Sequence, residues 1–191
     1  RARGEAGGGS MADAYARVTN ELGVLFTSTG PGAANACGAL VEARFSGTPL
    51  LHLTGQTAQA NVDRGRGTVH DVPDQLGMLK SVSKAAYRVR SPENTVGILS
   101  QAATQALTPP TGPVSVEIPI DIQRSHLPRP TGLTDFKLPL PPPLQPDPSG
   151  LNELSELAAT ARRPMLWLGN GARNAGPEVQ RFADMGFGIV T

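Results

Sequence analysis

The sequence predicts an α/β protein: a parallel sheet flanked by helices, followed by the start of a second, Rossmann-like α/β domain. Two observations carry that prediction. Short apolar runs such as Gly23-Val-Leu-Phe-Thr-Ser28 and Pro113-Val-Ser-Val-Glu-Ile-Pro119 alternate with stretches of helical spacing. Strand–helix–strand–helix–strand is the order of a parallel sheet covered on both faces. The second observation is compositional: 22 glycines and 18 prolines stand beside only 4% aromatic residues. Because Val, Ile and Leu still recur in short blocks, this composition fits tight loops between elements rather than disorder.

Residues 1–10 read as a loop feeding a helix. Met11, Ala14, Tyr15, Val18 and Leu22 then fall on one helical face, and Asn20 and Gly23 punctuate its end. Residues 23–28 form a strand of the kind buried on both faces, residues 29–32 a turn, and residues 33–45 a helix of small, closely packing residues. Residues 48–54 are the next strand, running into Gly55-Gln56. Residues 57–83 are polar and irregular, with Arg64-Gly-Arg-Gly67 as a mobile loop. Helical spacing returns over residues 92–107, and residues 113–119 form another strand. Eight prolines within residues 127–148 make that stretch an extended connector. Beyond it lie a helix over 151–161, a strand over 164–168, a turn at Gly169-Asn-Gly171, a helix over 177–185 and the start of a strand at 186–191. The expected organisation is a first domain over 1–126, a linker over 127–148 and an incomplete second domain over 149–191. An opening just before a helix and a stop inside a βαβ unit predict a piece of a longer protein.

Charge and composition exclude several function classes. Lys and Arg number 17 against 16 Asp and Glu, a net charge of +1, and no run of five basic residues occurs. That balance excludes a nucleic-acid binder working by bulk positive charge. A single cysteine, Cys37, excludes an internal disulfide framework and a Cys-rich zinc module. No apolar stretch approaches the ~20 residues of a membrane helix, and no signal-peptide pattern opens the chain. The expectation is a cytoplasmic globular protein without nucleic-acid or membrane partners.

Two features point to chemistry. Gly30-Pro-Gly-Ala-Ala-Asn35 sits where a strand ends and a helix begins. Glycines there allow close approach of a ligand, and free N–H groups at a helix start favour polar or anionic atoms. Taken alone it is also simply a tight βα connection, and it is not the dinucleotide fingerprint, since the third glycine is missing. Glu5 precedes Ala6-Gly-Gly-Gly9 in a glycine-flanked setting ahead of an apolar helix, where a carboxylate serves as a proton relay or simply as a solvated residue at a helix start.

Taken together, these residues form an ordered series. Glu5, Met11-Ala-Asp-Ala-Tyr-Ala-Arg17, Gly23-Val, Thr29-Gly-Pro-Gly-Ala-Ala-Asn35, Pro49 and Gly55-Gln56 follow one another, then Lys84 and Gly112-Pro-Val-Ser-Val-Glu-Ile-Pro-Ile-Asp121. The series resembles the pyrimidine-binding domain of thiamine-diphosphate enzymes of the acetolactate synthase type. Arg163-Pro-Met-Leu-Trp-Leu-Gly-Asn-Gly171 resembles the start of their central domain. Two departures stand out: Gly4 occupies the place of a histidine found in many members, and Val69-His70-Asp71 stands where acetolactate synthases usually show Phe-Gln-Glu.

The resemblance implies the thiamine-diphosphate-binding fold, with Glu5 and His70 as catalytic residues and Gly30, Pro31, Gly32, Asn35 and Gln56 at the cofactor. Glu5 would hydrogen-bond N1′ of the aminopyrimidine, so that its 4′-nitrogen becomes the base that takes the thiazolium C2 proton. The glycine turn would pack against the pyrimidine, with Asn35 capping the helix or polarising that region. Gln56 and His70 would meet oxygens of the substrate, although a solvated loop histidine accounts for His70 as well. His52, inside an apolar strand, reads as a core histidine, and His126 carries no signal. Cys37 reads as a small buried residue, and Arg64 and Arg66 as solvated or as a grip on an acidic or acyl-CoA substrate. Asn170 and Gly171 lie where some relatives bind FAD or a nucleotide, and a plain turn fits them equally.

Magnesium and the cofactor's diphosphate are held in this family by a Gly-Asp-Gly…Asn motif, and no Gly-Asp-Gly occurs in this chain. The resemblance therefore implies an active site completed between subunits of a homodimer or homotetramer, and 191 residues that do not turn over alone. The implied reaction is carboligation of 2-oxo acids. The alternatives are 2-oxo acid decarboxylation, C–C cleavage of another α-dicarbonyl, or a non-catalytic relative, against which the presence of Glu5 argues.

Overall fold

The computed structural model describes residues 2–129, 131 and 135–191. By internal contacts the chain divides into two units, one running through Pro141 and the other spanning Pro142–Thr191.

The first unit contains α1 (Glu5–Thr19), β1 (Gly23–Thr27), α2 (Pro31–Phe45), β2 (Leu50–Gln56), α3 (Gln75–Val82), β3 (Ala85–Arg88), α4 (Thr95–Leu107), β4 (Pro113–Pro119) and the short α5 (Ile120–Gln123). The four strands pair in the order β1-β2-β4-β3 and all run parallel, with Leu51 opposite Val24 on one side and Val114 on the other. β2 and β4 are central and almost wholly buried, which is why their sequences read as apolar runs. One face of the sheet carries a core of Ala12, Leu25, Ala33, Ala36, Leu40, Leu50 and Leu79. The other carries Leu51, Ala102, Ala103, Ala106, Val114 and Val116. The parallel sheet flanked by helices is the architecture the sequence predicts.

Three local features bear on the sequence expectation: the first and third differ from it, and the second, the end of α1 at Asn20, agrees with it. First, α1 begins at Glu5 and takes the glycines Gly7-Gly-Gly9 into its first turns, where a loop is expected. Packing overrides their low helix propensity: a Cβ on Gly9 would lie 2.5 Å from the Ala39 Cβ, so the missing side chain is what lets α1 dock on α2. The inward face is Gly9, Ala12 and Ala16, while Met11, Tyr15 and Val18 point outward, 58%, 50% and 82% exposed. Second, α1 stops at Thr19 because Asn20 turns left-handed (φ 60°) and its N–H bonds the Ala16 carbonyl. Third, the segment expected to be irregular contains α3, whose start is capped by Asp74 accepting from the Gly77 N–H at 2.7 Å, and β3 follows it.

The second unit contains α6 (Pro148–Thr160), β5 (Met165–Trp167), α7 (Gly176–Asp184) and β6 (Gly188–Val190), with β5 and β6 paired in parallel. Asp147 caps α6 by accepting from the Gly150 N–H at 2.9 Å, and Phe182 and Phe187 meet edge to face at 5.1 Å. No helix among the described residues is long and apolar enough to cross a membrane.

Candidate functional site

Three residues separate α1 from β1, so the helix must run back along the strand it precedes. Fifteen residues rise about 22 Å, which returns Glu5 to the carboxyl end of β1, where α2 starts. Carboxyl ends of parallel strands are where open α/β sheets place their ligands. The structure brings Glu5 to the glycine turn: Asn35, in the second turn of α2, donates from Nδ2 to Glu5 Oε2 at 3.3 Å. Asn35 is therefore not the helix cap. The cap position is Gly30, which has no side chain, and Pro31 takes the first helical position, where its missing N–H costs nothing.

The turn requires its glycines for two reasons. Gly30 adopts φ 59°, ψ −107°, a conformation that L side chains avoid, and a Cβ there would collide with the His70 carbonyl. A Cβ on Gly32 would collide with Ser28 Oγ and lie 3.4 Å from Glu5 Oε1. The result is a helix start packed directly against Ser28 and Glu5, where a carboxylate is also favoured by the helix dipole. Glu5 is half-buried, and its Oε1 accepts no hydrogen bond from the described residues.

His70 packs against this turn through its backbone, which is left-handed (φ 63°), and its side chain is exposed. Gln56 ends β2 but is turned into the protein. It is 2% exposed, with Oε1 accepting from the Thr57 N–H at 2.7 Å and Nε2 donating to Glu117 Oε2 at 3.1 Å.

Sequence reasoning misses the group that lies behind the turn. Glu117 on β4 is fully buried and accepts from Gln56, from Gln75 Nε2 (2.9 Å) and from Arg88 Nε. Arg88 also grips Asp63 in the 57–74 segment, holding that carboxyl below the usual carboxylate range through its hydrogen bond. Gln75 accepts the Gly30 N–H on Oε1 at 2.7 Å and donates to the Gly55 carbonyl at 3.0 Å. A glutamate inside Val-Ser-Val-Glu-Ile is the one available signal, a charge in a strand otherwise apolar. Gln75 has none.

The other candidates lie elsewhere. His52 is fully buried in the middle of the sheet, sharing hydrogen bonds with Thr27 (2.9 Å) and Ser115 (3.0 Å), and burial lowers its pKa to about 4. Burial pushes the Cys37 thiol up, disfavouring the thiolate a nucleophile needs. Lys84 donates to the Gln105 and Thr108 carbonyls at the end of α4, at 2.7 and 2.8 Å. Arg64, Arg66 and His126 are exposed, as are Asn170 and Gly171 in a turn of the second unit. Among the described residues no group of three His, Cys, Asp or Glu is placed to hold a metal ion.

Residues 1–78, which include Glu5, Gly30–Asn35, Gln56, His70 and Gln75, match the family described as the N-terminal TPP-binding domain of thiamine pyrophosphate enzymes. Acetolactate synthase 3 of Brassica napus chloroplasts is 30% identical over 187 residues, which is 96% of this chain and 28% of that protein. Residues 1–78 thus match the N-terminal TPP-binding domain of the thiamine pyrophosphate enzyme family, and the chain is similar along nearly its whole length to acetolactate synthases. It is also 32% identical over 174 residues to the Pseudomonas aeruginosa protein named probable 2-ketoarginine decarboxylase, covering 91% of this chain and 31% of that one. Among solved structures, a thiamine diphosphate-dependent 4-hydroxybenzoylformate decarboxylase of Rhodococcus jostii superposes with a TM-score of 0.76 at 28% identity. The match covers 87% of this chain and 31% of that one. The chain thus spans about three-tenths of the length of these relatives. The donor set fits the pyrimidine of thiamine diphosphate in one respect: Glu5 Oε1 accepts no hydrogen bond from the described residues and so is available to a ring nitrogen.

Proposed function

We propose that the full-length protein is a thiamine-diphosphate-dependent enzyme that breaks or makes the C–C bond next to a carbonyl, in the first instance by acetolactate-synthase-like carboligation of 2-oxo acids. The observation that carries this reading is the Glu5 carboxylate held at the start of α2, with one oxygen tied to Asn35 and the other without a hydrogen bond from the described residues. When bound, the cofactor supplies a nucleophilic carbon that adds to the 2-oxo acid carbonyl and accepts the electrons of the breaking bond. Glu5 holds a proton at N1′ of the pyrimidine, and Asn35 fixes the carboxylate that does so. Gly30, Pro31 and Gly32 bring the backbone at the start of α2 up to the ring, Gln56 supports the site through Glu117, and the exposed His70 ring donates to oxygens of the substrate.

A specific observation favours decarboxylation as the second reading. Val69-His70-Asp71 departs from the acetolactate synthase pattern in the segment that packs on the turn, and two of the relatives above are named as decarboxylases. The cofactor's diphosphate and magnesium belong, in either reading, to residues outside this chain. A second copy completes the site: Met11, Tyr15 and Val18 on α1 and Val41 and Phe45 on α2 form an exposed apolar surface, with Arg17 joining the two helices through Glu42 and Ser46.

The test is turnover of the full-length protein with thiamine diphosphate, magnesium and a panel of 2-oxo acids, following CO2 and the hydroxyketo product. Glu5→Gln lowers the rate at least 100-fold, the scale of positioned acid–base catalysis. A rate unchanged by that substitution removes Glu5, and the reading with it. Release of CO2 with an aldehyde and no coupled product selects the decarboxylase.

A further inference from the structure

Resting on that reading of the site, we infer that Gln75 is a positioning residue for thiamine diphosphate, suspending the Gly30 turn from the buried Glu117 carboxylate. The Gly30 N–H has Gln75 Oε1 as its partner at 2.7 Å, and this amide lies one residue before the helix start that meets the pyrimidine. On the other side, Gln75 Nε2 donates to Glu117 Oε2 at 2.9 Å and to the Gly55 carbonyl at 3.0 Å. One amide thus joins the ends of β1, β2 and β4. Gln75 is itself fully buried, so its bonds to Gly30 and Glu117 do not compete with water. Its orientation is fixed from behind. Glu117 offers only acceptors, so the NH2 end of the amide faces Glu117 and the oxygen faces Gly30.

Arg88 extends the chain of contacts, binding Glu117 and Asp63 and so tying the 57–74 segment, which includes His70, to the same carboxylate. Displacing the amide frees the Gly30 turn from the framework. The turn has left-handed backbone at Gly30 and the His70 carbonyl pressed against it. Its own bonds, Gly32 N–H to the Thr29 carbonyl and Ala34 N–H to the Gly30 carbonyl, are local, so the tie to the buried framework at Gly30 runs through Gln75. The distance at stake is small. The open oxygen of Glu5 lies 3.4 Å from where a Gly32 side chain would be, and a misplacement of about 1 Å is enough to cost a positioned group on the order of 100-fold.

The experiment uses the full-length protein and three readouts taken without substrate: affinity for thiamine diphosphate with magnesium by calorimetry, exchange of the bound cofactor's C2 proton for deuterium, and the melting temperature of the apoprotein. Gln75→Met keeps the volume and removes every hydrogen bond. It slows C2 exchange per bound cofactor at least tenfold. Leu79→Val, a core change on the same helix, lowers the melting temperature and leaves that exchange rate unmoved. Should Gln75→Met fail to fold, Gln75→Glu still accepts from Gly30 but cannot donate to Glu117, and it too slows exchange at least tenfold. Parent-like exchange in a folded, cofactor-loaded Gln75 variant overturns the inference and leaves the proposed function standing. Absence of thiamine diphosphate binding by the parent protein overturns both.

Discussion

Two carboxylates at the same end of the sheet live under opposite conditions. Glu117 is fully buried and accepts from Gln56, Gln75 and Arg88. Glu5 is half-buried, and among the described residues its carboxylate has one hydrogen bond, at the long distance of 3.3 Å, with an oxygen left over. A charge taken out of water persists only if its lone pairs are met by donors, and once they are met it has nothing left to offer a ligand. A carboxylate with an open oxygen contributes little to folding but can bind and move a proton. On the proposed function, the difference separates a residue that builds the site from one that works in it.

The sharpest way to break the comparison is to remove each carboxylate and read stability. Glu117→Ala leaves Arg88, whose side chain is 10% exposed, facing a void, along with two buried amides. The expected loss is about 3–5 kcal/mol, the cost of stripping one partner from a buried pair. Denaturant unfolding of the first unit's transition in the full-length protein measures it, and a loss below about 1 kcal/mol would mean that Glu117 is not the framework.

A second test extends the comparison to the other fully enclosed ionisable group. His52 is held neutral by burial, with a pKa of about 4 against 6.5 for an ordinary histidine. The unfolded chain therefore takes up a proton first as pH falls. Stability is fully present above pH 6.5 and declines between pH 6.5 and 4 by about 3 kcal/mol, then levels off in this contribution. Unfolding midpoints measured across that window show the slope, and His52→Gln, which keeps a polar side chain between Thr27 and Ser115, removes it. A slope that survives in His52→Gln assigns it to another group.

These cases also mark what was legible in the sequence. β2 and β4 were, because strands buried on two faces must be nearly continuous in apolar residues, and the Gly30–Asn35 turn was, because its backbone requires glycine where a Cβ would collide. β1 has the same apolar run and is a strand, but it lies at the sheet edge with Val24 and Phe26 exposed, not buried on both faces as expected. Glu5 stood out only through its place in an ordered series. Glu117 did not: its burial depends on Arg88 and Gln75, 29 and 42 residues away, and nothing local announces such partners. β3, four residues of Ala-Ala-Tyr-Arg, and α3, with only Gln75 and Leu79 buried, are held by packing rather than by pattern. For α1, spacing identified the helix and not its packed side. Apolar periodicity marked Met11, Tyr15 and Val18, whereas docking selected the smallest residues.

That docking gives a smaller, more selective perturbation. Gly9→Ala places a Cβ 2.5 Å from the Ala39 Cβ, and α1 must move away from α2. Overpacking of this size costs about 1–3 kcal/mol. Because Glu5 is on the same rigid helix, activity of the full-length protein falls further than stability alone accounts for. Activity that tracks the folded fraction would show that α1 docking does not set the place of Glu5.

Glu5→Gln completes the comparison at its weakest end. The amide keeps the length of the side chain and still accepts from Asn35, so the contact with α2 survives. What disappears is a negative charge in the first turn of α1 and at the start of α2, a helix-dipole contribution of about 0.3–1 kcal/mol. The expected change in unfolding free energy is therefore under about 1 kcal/mol, several-fold less than for Glu117→Ala, while turnover drops by two orders of magnitude or more. A large stability loss in Glu5→Gln would place Glu5 with Glu117 among the residues that hold the fold. The expected separation, one carboxylate moving stability and the other moving rate, requires that the open oxygen of Glu5 be kept free of the framework that Gln75 and Glu117 complete behind it.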